Sequence, residues 1–137
     1  MRLRIYADGA CWGNPGPAAV GVVVKDEGQK ELARVSSYIG QGTNNQAEYQ
    51  AVIAALKAAI KFKPTEVTLC LDSELVIRQL AGRYRVKSPL LVPLYIEAVE
   101  LSRRLANLSV IHVTHWENTE AHALARAALI KSLGRET

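Results

Sequence analysis

Glu66-Val67-Thr68-Leu69-Cys70-Leu71-Asp72-Ser73 is a short, nearly unbroken apolar run that ends on a carboxylate. A strand that is apolar on both faces is covered from both sides, as in α/β sheets, whereas a half-wet antiparallel strand alternates. The flanks agree. Upstream, Thr43-Asn44-Asn45-Gln46 has the form of a capping box, with Thr at the cap and Gln three residues on. It opens an Ala-rich helix that runs to about Phe62 and stops before Pro64. Downstream, Ser73 caps a short helix ending near Gly82. Ser88-Pro89 starts another, with Pro at the first helical position. Its buried stripe is Leu91, Leu94, Ala98, Leu101 and Leu105. Leu108 to Val113 is the last strand, and Thr119 to Leu133 the last helix, with Ala121, Leu124, Ala125 and Ala128 facing inward.

The N-terminal part has a different texture. Residues 2–8 alternate. Ala18 to Lys25 and Leu32 to Ile39 are β-rich and are joined by Asp26-Glu27-Gly28-Gln29-Lys30, which makes them a hairpin. The order is β-β-β-α-β-α-α-β-α. It predicts an α/β fold built on a five-stranded mixed sheet, three antiparallel strands followed by two parallel ones, with helices on both faces.

A chain of 137 residues suits one domain over 1–137 with a single core. Its apolar stretches fall far short of the ~20 residues of a membrane span. Met1-Arg2-Leu3-Arg4 leads directly into a strand pattern with no leader signal, so the expected location is the cytoplasm. Cys11 and Cys70 have neither metal-type nor redox-type spacing and are expected to be free thiols. A formal net charge of +4 permits a polyanionic partner without establishing one. No exposed apolar stripe demands more than a monomer.

Three carboxylates stand out. Asp8 and Asp72 follow apolar strand runs, and Glu48 lies in the first turn of the Ala-rich helix, in line with Val52, Ala55 and Ala59. Buried acids are rare unless paired or metal-bound. None has a basic neighbour in sequence to neutralise it, so the pattern points to a divalent metal site. Ligands of open α/β sheets gather beyond the carboxyl ends of strands, where Asp8 and Asp72 are expected to sit.

The motifs around these acids are specific. Tyr6-Ala7-Asp8-Gly9-Ala10-Cys11-Trp12-Gly13-Asn14-Pro15-Gly16-Pro17, Thr43-Asn44-Asn45-Gln46-Ala47-Glu48-Tyr49 and Leu71-Asp72-Ser73-Glu74-Leu75-Val76-Ile77 resemble, in order and spacing, the first three motifs of type 1 ribonucleases H. Tyr84-Arg85-Val86-Lys87-Ser88-Pro89, followed by Pro93-Leu94-Tyr95, resembles the short prokaryotic and archaeal forms. The resemblance covers nearly the whole chain. It implies a ribonuclease H-like fold and an endonuclease that cuts the RNA strand of RNA–DNA hybrids, leaving 5′-phosphate and 3′-hydroxyl ends. It implies two divalent ions, Mg²⁺ or Mn²⁺, held by Asp8, Glu48 and Asp72, with Asp8 bridging. Two such ions about 3.5–4 Å apart activate a water and stabilise the leaving oxygen.

The resemblance also implies substrate contacts. Gly9 permits close backbone approach. Asn14, Asn44 and Asn45 match positions that touch the hybrid's minor groove, where 2′-hydroxyls distinguish RNA from DNA; a helix-start role alone stays open for Asn44 and Asn45. Thr43 matches a phosphate contact and is also the helix cap. Arg83, Arg85 and Lys87 are either a solvated loop or contacts to DNA-strand phosphates. Trp12 and Trp116 flank motif loops, with packing and nucleic-acid contact both open. The larger basic helix-loop and the separate N-terminal hybrid-binding domain of some relatives are not seen, which predicts weaker, more salt-sensitive binding.

One position departs from the family. Glu117-Asn118-Thr119-Glu120-Ala121-His122-Ala123-Leu124-Ala125 resembles the last motif with His122 in place of its aspartate. Three readings compete: His122 is the fourth metal ligand; Glu117 or Glu120 compensates; or the site is weakened and the protein only binds hybrid. A neutral imidazole near a helix N-terminus binds Mn²⁺ better than Mg²⁺. Activity on double-stranded RNA is a rival within the same fold. His112 and His115 receive no catalytic role.

Overall fold

The computed structural model describes residues 1–134 of the chain. Strands β1 (Arg2–Cys11), β2 (Gly16–Asp26) and β3 (Glu31–Gly42) precede helix α1 (Asn44–Lys61). Then come β4 (Glu66–Leu71), α2 (Glu74–Leu80), α3 (Val92–Ser102), β5 (Leu108–His112), a 3-10 turn over His115–Asn118, and α4 (Thr119–Gly134). The sheet order is β3-β2-β1-β4-β5. β2 is antiparallel to both β1 and β3, while β4 lies parallel to β1 and β5 parallel to β4. This is the mixed sheet expected from the element order.

Alternation along β1 separates the two faces. Leu3, Ile5 and Ala7 enter the main core, with Val20, Val22 and Val24 of β2 beside them. Helices α1 and α3 close that core, α1 through Tyr49, Val52 and Leu56. Each fully buried Val, Leu or Ile among them contributes about 1.5–3 kcal/mol. The Tyr49 hydroxyl donates to Gln79 Oε1 at 2.6 Å inside the core and so ties α1 to α2. Burial pushes that phenol up to about 12. Helix α4 covers the opposite face with small contacts, Ala128 and Leu129 against Ala19. Among the described residues no helix is long and apolar enough to cross a membrane.

Four local expectations change. The helix expected from Pro89 begins at Val92. Ser88 instead starts a turn whose carbonyl accepts from the amides of Leu91 and Val92. Pro93 takes the early helical position, where a missing N–H costs nothing. Two prolines four residues apart offer the same signal, and packing chose the one that buries Leu91 and leaves Leu90 outside. Leu105 lies beyond α3 yet remains buried. Finally, β1 continues to Cys11, so Asp8 lies within the strand, and Glu48 falls past the first turn of α1.

Candidate active site

The parallel pairing of β1 and β4 sets Tyr6 against Cys70. Asp8 and Asp72 each follow two residues later, so the register delivers both acids to the same end of the sheet. Helix α1 supplies the third. It lies so close to β1 that a Cβ on Gly9 would fall 2.3 Å from the Ala47 carbonyl carbon and 2.5 Å from the Glu48 nitrogen. With glycine there, the Gly9 N–H donates to Glu48 Oε1 at 3.1 Å and fixes the carboxylate beside Asp8. Asp8, Glu48 and Asp72 each present an oxygen within 4.8 Å of the others.

Such proximity is electrostatically costly. Burial pushes the Glu48 carboxyl well above the usual carboxylate range, and the charges of Asp8 and Asp72 push it further, against the opposing hydrogen bond from Gly9. Asp8 is also raised, first by burial and then by Asp72, while its contact with His122 pulls the other way. Among the described residues, no Lys or Arg forms an ion pair with these acids. An all-oxygen cluster of mutually repelling acids fits a hard divalent cation such as Mg²⁺ or Mn²⁺.

Carboxyls whose folded pKa lies above the unfolded value hold protons in the fold that the unfolded chain has released. Their contribution to stability therefore declines as pH rises from the ordinary carboxylate range through the raised folded values. Metal-free protein is expected to lose melting temperature over that interval, and Glu48→Gln to lose less, by about 2–4 °C for each kcal/mol of relieved repulsion. Mg²⁺ is expected to restore the wild type more than the variant. Superimposable melting profiles, with and without chelator, would contradict the electrostatic origin.

Helix α4 brings His122 to the cluster by a second close approach. Gly21 pairs with Asp8 across the β1–β2 ladder. A Cβ on Gly21 would lie 2.0 Å from the Ala121 carbonyl oxygen and 2.7 Å from the Ala125 nitrogen. The helix therefore rests on the strand at that point, and His122 Nδ1 reaches Asp8 Oδ2 at 2.7 Å. The buried Asn118 donates from Nδ2 to the Ala7 carbonyl at 3.0 Å and pins the start of α4 to β1. His122 thus meets Asp8 without joining the mutual contact of the three acids.

His115, given no role from the sequence, stands beside Asp72, Nδ1 to Oδ2 3.9 Å, with its ring centroid 5.1 Å from that of His122. The signal that would have found it is register: β5 runs parallel to β4 with Leu71 opposite His112, so residues just past β5 arrive at the Asp72 end of the sheet. His112 itself is an exposed strand residue.

Of the expected substrate contacts, Asn14, Thr43, Asn44 and Asn45 gather at the start of α1. Asn14 Oδ1 accepts from the Asn44 amide at 2.9 Å, which joins the β1–β2 connection to the start of α1. Thr43 and Gln46 form the reciprocal cap of that helix. Asn14, Asn44 and Asn45 are exposed, as are Arg83, Arg85 and Lys87 between α2 and α3. Arg78 lies over the Tyr84 ring at 5.4 Å and donates to its hydroxyl, bracing the basic segment. Trp12 and Trp116 are 51% and 81% exposed, so neither is a core residue.

Comparison with known proteins places this arrangement. The reverse transcriptase-like family model matches residues 6–128. The chain is 41% identical over 130 residues to the bifunctional protein Rv2228c of Mycobacterium tuberculosis, which covers 94% of this chain and 36% of that protein. It thus spans about a third of the length of that relative. It is 33% identical over 132 residues to the ribonuclease H of Legionella pneumophila, covering 90% of this chain and 86% of that one. The crystal structure of LC11-RNase H1 in complex with RNA/DNA hybrid superposes with a TM-score of 0.91 at 39% identity, over 96% of this chain and 99% of that chain. A chain that aligns with one ribonuclease H over most of its length, and superposes on another across the whole fold, belongs to the type 1 ribonuclease H family.

Proposed function

We propose that this protein is a metal-dependent endonuclease that hydrolyses the RNA strand of RNA–DNA hybrids, leaving 5′-phosphate and 3′-hydroxyl ends. The observation that carries the reading is the convergence of Asp8, Glu48 and Asp72 to within 4.8 Å at one end of the sheet. These residues, with His122 as fourth ligand, would hold two divalent ions. When bound, such ions lower the pKa of an attacking water and stabilise the leaving oxygen.

The chain's own groups do the positioning. Asp8 is central, in reach of Glu48 and Asp72 on one side and of His122 on the other. Glu48 is held by the Gly9 amide. The exposed Asn14, Asn44 and Asn45 are suited to read ribose hydroxyls, which favours RNA-containing duplexes over duplex DNA. Arg83, Arg85 and Lys87 supply sequence-independent phosphate contacts to the DNA strand.

For the departure at His122, the ligand reading has specific support. Glu117 is occupied in a reciprocal cap with Thr114, and Glu120 is paired with Lys25 at 2.8 Å. Neither substitute acid is free to face Asp8, whereas His122 already touches it. Activity is therefore expected to favour Mn²⁺, and His122→Asp to shift the preference toward Mg²⁺. Identical metal profiles for the two proteins would reject the ligand role.

The function itself is tested by incubating labelled RNA–DNA hybrid, single-stranded RNA, duplex RNA and duplex DNA across a Mg²⁺ and Mn²⁺ series. Cleavage of the hybrid's RNA strand is expected. A protein that bound hybrid tightly yet cut nothing with either ion would be a binding module instead.

A further inference from the structure

We propose that His115 and His122, together with Asp8 and Asp72, form a four-ligand site for a transition ion of the Zn²⁺ class, and that an ion held there shuts the catalytic centre off. The proposal rests on the function proposed above and names a means of regulating that same site.

Two carboxylate–imidazole pairs stand side by side. His122 Nδ1 lies 2.7 Å from Asp8 Oδ2, and His115 Nδ1 lies 3.9 Å from Asp72 Oδ2. Asp8 and Asp72 each present an oxygen within 4.8 Å of the other. The two imidazoles are also neighbours, with ring centroids 5.1 Å apart and planes at 72°. Two imidazoles on one tetrahedral ion, each nitrogen about 2.0–2.1 Å from the metal, have their centroids about 5 Å apart. The rings therefore already stand at the separation a shared ion requires. Neighbouring ligand atoms on such an ion are about 3.3 Å apart, so the gap of 3.9 Å between His115 and Asp72 needs only a small closure. The His115 side chain is 58% exposed and its ring is free to turn. Its backbone is not: His115 opens the 3-10 turn that Thr114 and Glu117 cap reciprocally, and Asn118 ties the end of that turn to Ala7.

The donor set selects the ion. Two imidazole nitrogens and two carboxylate oxygens suit Zn²⁺ and its neighbours, whereas Mg²⁺ prefers oxygen ligands and keeps several waters. Divalent affinity rises from Mn²⁺ toward Zn²⁺ at a site with nitrogen donors, so Zn²⁺ displaces an excess of the harder ions. A zinc site closed by four protein ligands has no open position, while a catalytic one keeps a position for water or substrate. An ion on His115, His122, Asp8 and Asp72 thus has no place for an attacking water. It also takes two of the three acids that the hydrolytic ions need.

The test measures Zn²⁺ binding to the full chain in excess Mg²⁺, by competition with a chromogenic chelator, and the visible spectrum with Co²⁺ in place of Zn²⁺. Wild type is expected to bind one Zn²⁺ and to give the strong visible absorption of four-coordinate Co²⁺. Loss of a partner one shell beyond the ligands costs about 10–100-fold in metal affinity, so His115→Ala is expected to weaken Zn²⁺ by about 100-fold or more. It is also expected to lose the four-coordinate Co²⁺ spectrum. The Zn²⁺ concentration that halves Mn²⁺-driven hybrid cleavage should rise by the same factor. His115 is exposed, so the variant is expected to fold, and its metal-free melting temperature checks this. His112→Ala, at an exposed strand position, is the control expected to bind Zn²⁺ as wild type does. Equal Zn²⁺ affinity in wild type and His115→Ala, or the weak spectrum of six-coordinate Co²⁺ in wild type, would overturn the site. Cleavage that continued with Zn²⁺ bound would overturn the shut-off. A wild type that cut no hybrid in Zn²⁺-free buffer would reject the function, while the chelator and Co²⁺ measurements would still decide the site.

Discussion

Asp8→Asn is expected to abolish hybrid cleavage, lowering kcat by about 10³-fold or more with either Mg²⁺ or Mn²⁺. Asparagine keeps the shape of the side chain and removes its charge. Asp8 is the residue that the other acids and His122 all approach, so one substitution weakens every proposed metal position at once. A loss of about 4 kcal/mol of transition-state stabilisation corresponds to that factor. Hybrid affinity should change little, because the exposed asparagines and the basic segment are untouched. The metal-free protein should become more stable, since burial and Asp72 already push the Asp8 carboxyl upward. Single-turnover cleavage, hybrid binding and melting temperature separate these effects. A variant that kept more than a tenth of wild-type turnover would show that Asp8 does not organise the ions.

Gly21→Ala is expected to cost about 3 kcal/mol or more of stability and to separate His122 from Asp8. The added Cβ would lie 2.0 Å from the Ala121 carbonyl oxygen and 2.7 Å from the Ala125 nitrogen. Those are backbone atoms of α4, so no side-chain rotation relieves the clash and the helix must lift. Overpacking of a tight contact costs about 1–3 kcal/mol even where side chains adjust. At about 2–4 °C per kcal/mol the melting temperature should fall by roughly 10 °C. The lift acts on the residue next to Ala121, so any remaining activity should lose the Mn²⁺ preference proposed for His122. Thermal melting together with the metal profile measures both. Gly28→Ala, on the exposed turn that follows β2, is the control expected to be mild.

The three acids were legible in the sequence for a physical reason. Each sits on an element whose neighbours are apolar, and a charge among apolar residues is conspicuous without any knowledge of the fold. The capping box at Thr43 was equally legible, because donor and acceptor lie three residues apart. The start of α3 was not, since Pro89 and Pro93 carry the same local signal and only the burial of Leu91 separates them. His115 was also hidden. Its place beside Asp72 depends on the β4–β5 register and on the 3-10 turn that follows, neither of which leaves a periodic trace.

By itself, then, the sequence determined the order of elements, the mixed sheet and the identity of the acids, because periodicity, caps and buried charge are properties of short stretches. Tertiary structure alone decided which of them meet. The β1–β4 register sets Asp8 and Asp72 side by side. The contact at Gly9 brings in Glu48, and the contact at Gly21 brings in His122. Those distances depend on how closely helices approach a sheet across more than 100 residues of intervening chain in the case of Asp8 and His122, and no local pattern encodes them.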